Sequence, residues 1–335
     1  FLLGSWLARH NLIINFQIFL GLTNKMNKFA AALVASILSF SALAAEPLLT
    51  PQGVKSAQAD SNTRVIDIRD PKSYAANHIP GSLNAPYGSW RGPETNPGEL
   101  PSLEKLTANV QRLGITADTP VIVVSSGAND TDFGAAARVY WTLKVLGVNH
   151  LSVLNGGLKA WQAAGFPLDN QPVTVAASNF APKINQSMIA TREDVINSTK
   201  TGKTLLVDAR PAAFYSGETR HQVAKTPGTL KGAINVEHST WFEPKSSLVV
   251  SASEAKKLAA ATPLKDDAEM ISFCNTGHWA ATNWFVMSEL VGQKNVKLYA
   301  GSMVDWTRAD SALPMDNVPN RVKQLLIDFQ LYTSK

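Results

Sequence analysis

Cys274 is the only cysteine in the 335-residue chain. It stands between the apolar run 269–273 and the helix-like stretch 280–290, in the loop Cys274-Asn275-Thr276-Gly277-His278-Trp279. A loop of this kind can curl so that successive backbone N–H groups converge, and the following helix adds the positive end of its dipole. Both effects favour thiolate over thiol, so the chemistry open to this residue is nucleophilic, through a covalent intermediate. The plain alternative is a small apolar filler at a strand end, because free cysteine is among the most buried residue types. Gly277 suits a backbone that must turn tightly and approach the sulfur closely. It suits an ordinary turn equally well.

Composition removes several other chemistries. The formal charge is +5, but Arg9, Lys25 and Lys28 all precede the first acid, Glu46, so the excess beyond residue 45 is small. No basic stripe or aromatic-basic interleaving remains to suggest a nucleic-acid partner. His78, His150, His221, His238 and His278 show no His-x-x-His or Cys/His spacing, one cysteine cannot build a structural zinc site, and no P-loop signature is present. No metal or other cofactor is therefore expected.

Residues 26–45 have a short basic start, an apolar middle and small residues before Glu46. That is the pattern of a secretory signal peptide cleaved after Ala44 or Ala45. A membrane anchor is the alternative, with an apolar segment short for a span. Cleavage would place the mature chain in the periplasm without an anchor, where an unpaired cysteine marks reactivity. Residues 1–25 precede Met26 and are read as an upstream segment outside the native fold.

The elements that must position the cysteine come in two copies. Asp67-x-Arg69 ends one short apolar strand and Asp208-x-Arg210 ends another. Each is followed by an aromatic (Tyr74; Phe214 and Tyr215), then a Gly-bearing turn and an Asn (Asn84; Asn235). A second strand follows in each copy, 121–125 and 270–274, then apolar residues at helical spacing: Ala136, Val139, Tyr140, Leu143 and Leu146, against Ala281, Trp284, Met287 and Leu290. Each copy closes on a Gly-x-x-x-x-Trp block, Gly156 to Trp161 and Gly301 to Trp306. Alternating strands and helices, used twice, predict two α/β domains, each a parallel central sheet flanked by helices. The expected boundaries are 48–170 and 186–318, with a proline-marked linker at 171–185 and a tail at 319–335 carrying one helix over 322–329.

These motifs, in this order and twice over apart from the cysteine, resemble the tandem rhodanese sulfurtransferases across residues 48–316. The resemblance implies two rhodanese-like domains, the first catalytically silent and the second catalytic, and a monomer without a cofactor. The loop 125–132 fits a silent copy, since it has no cysteine and its Asp130 and Asp132 would repel an anion. By the same resemblance Cys274 takes a sulfane sulfur from a small anionic donor, thiosulfate or 3-mercaptopyruvate, and passes it to a thiophilic acceptor such as cyanide or a thiol. The backbone of Asn275, Thr276, Gly277, His278, Trp279 and Ala280 would stabilise the charge that stays on sulfur.

Arg210 matches the family's Asp-x-Arg arginine, which reaches the donor. A pair with Asp208 holding the strand end is the other role open to it, and Arg69 shows that the silent copy keeps the same residue. The second copy also carries an insertion between Tyr215 and Gly228 with Arg220, His221 and Lys225, either a source of charge for the pocket or a solvated loop. The cysteine loop departs from the family's patterns. Thiosulfate-using members often place Arg and Lys after the cysteine, and mercaptopyruvate-using members place Gly and a small residue there, whereas Asn275 and Thr276 are neutral. Trp279 either walls the pocket or packs on the sheet. His278 is either a cation near the sulfur at mildly acid pH or an exposed helix-start residue. Two rival readings remain: a persulfide carrier or binding module, and a cysteine phosphatase. The second would need an arginine where Ala280 stands.

Overall fold

The computed structural model describes residues 46–263 and 268–333. The expected signal segment 26–45 and the upstream segment 1–25 lie outside them. Among the described residues no helix is long and apolar enough to cross a membrane.

In the first copy the strands are β1 (Leu48–Leu49), β2 (Arg64–Asp67), β3 (Leu83–Asn84), β4 (Val121–Val124) and β5 (Leu151–Leu154). They pair in the order β1-β5-β4-β2-β3, every pair parallel. The second copy has β6 (Leu205–Asp208), β7 (Thr229–Leu230), β8 (Ile234–Asn235), β9 (Met270–Phe273), β10 (Val296–Leu298) and β11 (Met315–Asp316). Here the parallel order is β10-β9-β6-β8, and a single parallel bridge from Ile189 to Leu298 stands where β1 pairs with β5. β7 and β11 form a separate antiparallel pair. Strands such as Val121–Val124 are apolar at every position because helices cover both faces of a parallel sheet. The carboxyl ends of β2, β4, β6 and β9 carry the Asp-x-Arg pairs, Ser125 and Cys274. That is the edge at which open α/β sheets bind ligands.

The long helix after β4, α1 (Asp130–Leu146), begins on the side chain of Asn129 and ends at Gly147, whose φ of 95° allows the left-handed cap. Its counterpart α2 (Trp279–Phe285) continues into a π-helical turn, Val286–Val291. The sequence spacing predicts one buried face on each helix, yet α1 is buried almost all round. The reason is that the two copies pack these helices against each other. Phe133 and Tyr140 lie edge-on to Phe285, with centroids 5.3 and 5.0 Å apart. Glu289 Oε2 accepts from Tyr140 Oη and Lys144 Nζ at 2.7 and 2.6 Å. One apolar core therefore runs through both copies.

The connecting segment is also fixed: Lys183 and Asn185 N–H donate to the carbonyls of Leu146 and Val145, and Phe180 is buried. The tail forms α3 (Arg321–Thr333), longer than the expected 322–329 and held by buried Ile327 and by an Arg220–Asp328 ion pair of 2.8 Å.

Candidate active site

The duplication extends to single atoms. Asp67 accepts from the Arg69 backbone and guanidinium at 2.6–3.0 Å, and Arg69 Nη2 also reaches Asn77 O. Asp208 holds Arg210 in the same way, and Arg210 Nη2 reaches Gly228 O at 2.7 Å. Asn84 and Asn235 donate to the matching pairs of carbonyls. Arg210 is 1 % exposed, so the aspartate that compensates its burial is indispensable to it. Unlike Arg69, it also places Nη1 3.4 Å from Asn275 Oδ1, in the cysteine loop, and its guanidinium 5.8 Å from the Phe214 ring centroid.

Cys274 directly follows β9 and is itself 1 % exposed. Its N–H and that of Gly277 both donate to Ser302 Oγ, at 3.0 and 3.1 Å, while the Ser302 hydroxyl donates to Tyr299 O at 2.8 Å. One side chain thus closes the loop on itself. Ser302 adopts a φ of 53°, a left-handed conformation that costs a non-glycine residue about 1–2 kcal/mol. Its counterpart in the first copy is Gly157, at φ 58°, where a Cβ would lie 2.5 Å from Ser125 O. The strain in the second copy therefore serves the hydroxyl. Ser302→Ala is expected to destabilise the protein by about 2–4 kcal/mol by orphaning two buried N–H groups. Ser302→Gly, which relieves the φ strain, should lose about 1 kcal/mol less, read as a smaller shift in urea midpoint.

Arg138 lies beneath the loop. It comes from α1, is fully buried, and donates from Nη1 to Gly277 O at 3.2 Å and from Nη2 to Gly98 O at 2.8 Å. It thereby ties the cysteine loop to residues 92–101 of the first copy, which cross the second copy's terminal block with Gly98 tight against Ala300. Burial, aided by the nearby Arg91 charge, lowers the guanidinium to about 9, still protonated at neutral pH. The N–H groups of Asn275, Thr276 and His278 have no acceptor among the described residues. Trp279 and Ala280 open α2, where first-turn N–H groups lack intrahelical partners.

The first-copy loop is built on the same frame. Leu158 and Lys159 donate to Ser125 and Ser126 carbonyls as Met303 and Val304 donate to those of Cys274 and Asn275. Its donors, however, converge on a carboxylate. Asp132 Oδ2 accepts from Ser126 Oγ and from the N–H groups of Gly127 and Ala128, at 2.6 and 3.2 Å for the last two. An internal anion occupies the cradle in the copy that lacks the cysteine.

The first copy also forms one wall of the second copy's site. Arg91 Nη1 donates to Tyr87 Oη, Tyr87 Oη lies 3.0 Å from His278 Nδ1, and His278 Nε2 lies 2.7 Å from Thr131 O. A carbonyl can only accept, so Nε2 carries the hydrogen and Nδ1 receives the Tyr87 proton. Burial first, then the Arg91 charge, pushes His278 down to about 4, so the ring is neutral at mildly acid pH. Burial also lowers His221 and His238. Between pH 6.5 and 4 the unfolded chain then binds more protons than the native one, and stability falls as the solution is acidified. We expect the urea midpoint to drop between pH 7 and 5, and the drop to be smaller in His278→Gln. An unchanged drop in that variant would remove His278 from the account.

Trp279 stacks on His238 at 5.0 Å, meets Phe214 edge-on, and donates to Thr131 Oγ1 at 3.2 Å, so it packs between the copies. Asn275, Thr276 and Ala280 are buried in or beside the loop. Arg220 faces away, bonded to Asp328 and to the carbonyls of its own loop. Next to it a cleft of about 630 Å³ separates residues 94–97 from His221, Gln222 and Arg308. A larger cleft, about 970 Å³, lies between residues 128–130 and 239–248, and no residue of the cysteine loop lines it. Ser302, Arg138, Tyr87 and Arg91 were not expected from the sequence. The change from Gly157 to Ser302 in otherwise matching blocks was a visible signal for the first. The other three reach the loop only by packing of one copy on the other.

A family model described as the rhodanese-like domain matches residues 50–164 and again 191–309. The chain belongs to the rhodanese-like family. As a tandem member it is a sulfurtransferase of rhodanese type, working through its single cysteine. It is 32% identical over 246 residues to a thiosulfate sulfurtransferase of Pseudomonas aeruginosa, covering 72% of this chain and 87% of that one. It is 28% identical to the sulfur carrier protein TtuD of Thermus thermophilus, covering 78% and 93%. Among solved structures, the 3-mercaptopyruvate sulfotransferase SseA of Escherichia coli superposes with a TM-score of 0.67 at 24% identity, over 76% of this rhodanese-like chain and 98% of the other. The anaerobic ergothioneine biosynthesis enzyme of Chlorobium limicola gives 0.72 at 21%, over 82% and 71%. Both share the fold.

Proposed function

We propose that this rhodanese-like protein moves a sulfane sulfur from a small anionic donor, thiosulfate before 3-mercaptopyruvate, to cyanide or a thiol through a persulfide on Cys274. The observation that carries the reading is the loop itself. A buried thiol begins a turn whose Asn275, Thr276 and His278 N–H groups have no acceptor among the described residues and whose shape is held by Ser302. The Cys274 thiolate attacks the outer sulfur of thiosulfate. A new S–S bond forms at Cys274, the donor's S–S bond breaks, and sulfite leaves with the electron pair. The acceptor then attacks the outer persulfide sulfur and Cys274 regains its thiolate. Fixed N–H dipoles stabilise the charge that remains on sulfur in both steps. The likeness to the Pseudomonas thiosulfate sulfurtransferase supports thiosulfate as donor.

The first copy, residues 48–170, acts as the silent domain, since Ser125 replaces the nucleophile and Asp132 fills its cradle. The second, 186–318, carries the reaction. The segment 26–45 directs export, to be checked by fractionation of the native host.

The test is steady-state thiocyanate formation from thiosulfate and cyanide, with mercaptopyruvate as the competing donor. Saturable turnover with thiosulfate is expected, and turnover with mercaptopyruvate alone would reassign the donor. A carrier is the second reading, favoured by the nearly complete burial of Cys274 and by the Thermus relative. It predicts a loaded Cys274 without steady-state turnover of small acceptors.

A further inference from the structure

Of the ten arginines among the described residues, four pair with a carboxylate and six do not. Arg69, Arg192, Arg210 and Arg220 each hold a carboxylate. Arg91 and Arg138, the two set against the cysteine loop from the first copy, have no carboxylate partner among the described residues. Arg138 is buried and both its terminal nitrogens are used by carbonyls. Arg91 is half-buried, with its guanidinium 5.1 Å from the Tyr87 ring centroid, and its side chain makes one hydrogen bond, from Nη1 to the Tyr87 hydroxyl. The rest of its donor fork has no partner among the described residues. Of the two arginines expected to bind the donor's charge, Arg220 is turned to Asp328, and Arg210 is held by Asp208 with its Nη1 toward Asn275.

We propose that Arg91 binds the oxyanion end of the sulfur donor as it approaches Cys274, and so selects anionic donors over neutral ones. The inference rests on the sulfur-transfer reading and names the residue that reads the donor's charge. Arg91 is one hydroxyl away from His278, four residues beyond Cys274 in the loop. Its charge also reaches Arg138, His278 and His221, lowering the proton affinity of each. Arg91 itself lines a cleft of about 780 Å³ whose other charged residues are Lys105, Arg112 and Glu99, so that approach carries net positive charge. A planar guanidinium with an unused fork suits a sulfonate or carboxylate better than a point charge does. The second copy supplies the sulfur chemistry, and the first supplies the charge that recognises the donor.

The single cysteine permits a test that does not depend on sulfur transfer. Iodoacetate and iodoacetamide have similar size and differ in charge. Each forms one S–C bond at Cys274 while the C–I bond breaks and iodide leaves with the electron pair. In Arg91→Gln the ratio of iodoacetate to iodoacetamide alkylation rates should fall about tenfold with the iodoacetamide rate unchanged. The thiosulfate concentration for half-maximal loading of Cys274 should rise about ten- to a hundredfold, the loss of one hydrogen bond to a charged group. Arg91→Lys should restore most of the ratio, and Tyr87→Phe should leave it near the wild-type value. Equal slowing with both reagents would assign Arg91 a packing role and overturn the proposal, as would an unchanged ratio with unchanged half-saturation. If thiosulfate fails to load the wild type while the ratio still falls, anion recognition by Arg91 stands and the thiosulfate reading fails.

Discussion

Cys274→Ser is expected to abolish sulfur transfer, by about 10⁴-fold or more, the loss seen when a nucleophile is removed from an otherwise intact site. A serine hydroxyl is barely ionised at neutral pH and cannot carry a stable sulfane sulfur. The exchange is nearly isosteric, and Ser125 shows that this fold accepts a buried serine at the matching strand end. The frame that holds Cys274 uses its backbone and not its sulfur: its N–H goes to Ser302 and its carbonyl accepts from Met303. The thermal midpoint should therefore stay within a few degrees of the wild type while thiocyanate formation vanishes. Residual turnover above one per cent would show that another group transfers sulfur.

Gly277→Ala carries the second large effect, and on both stability and rate. Gly277 has a φ of 67°, and a Cβ there would lie 2.5 Å from Ala300 O and 2.5 Å from Arg138 Nη1. Neither neighbour can withdraw cheaply, since one is backbone and the other is the buried guanidinium that staples the loop to Gly98. Strain and overlap together should cost about 3 kcal/mol or more. The loop must shift to relieve the contact, and a displacement of about 1 Å at a reacting group lowers rates about a hundredfold. Gly202 is the control. Its φ of 64° is similar, but nothing lies within 4 Å of a built Cβ, so Gly202→Ala should cost about 1 kcal/mol and leave turnover unchanged. If the two variants lost equal stability and activity, the close packing of the cysteine loop would carry no weight.

The parts of this fold that could be read from sequence are those set by local pattern. Apolar runs ending in Asp-x-Arg, used twice, reveal strands buried on both faces, because parallel sheets covered by helices leave no polar alternation. The cysteine loop was legible for the same reason, being a strand-to-helix turn with a glycine. Arg210 was legible as a motif residue, and the structure shows the Asp208 pair that Arg69 also makes with Asp67, together with an Nη1 turned to Asn275 of the cysteine loop. The insertion behaved differently. Arg220 is bound to Asp328 on the last helix, and no local spacing connects residues so far apart in the chain. Most of the wall around Cys274 has the same origin. Tyr87, Arg91, Thr131 and Arg138 belong to the copy without the nucleophile and meet the loop only because α1 and α2 pack face to face. Periodicity announces that a helix face is buried, but it does not say which partner buries it. The near-complete burial of α1 follows from that partner and was out of reach for the same reason.

Persulfide formation on Cys274 is the central claim, and intact-mass spectrometry of the protein incubated with thiosulfate tests it directly. The account predicts a gain of one sulfur atom that appears with thiosulfate, disappears on adding cyanide and is absent from Cys274→Ser. No gain with the protein folded and Cys274 reduced, or a gain that persists in Cys274→Ser, would contradict it.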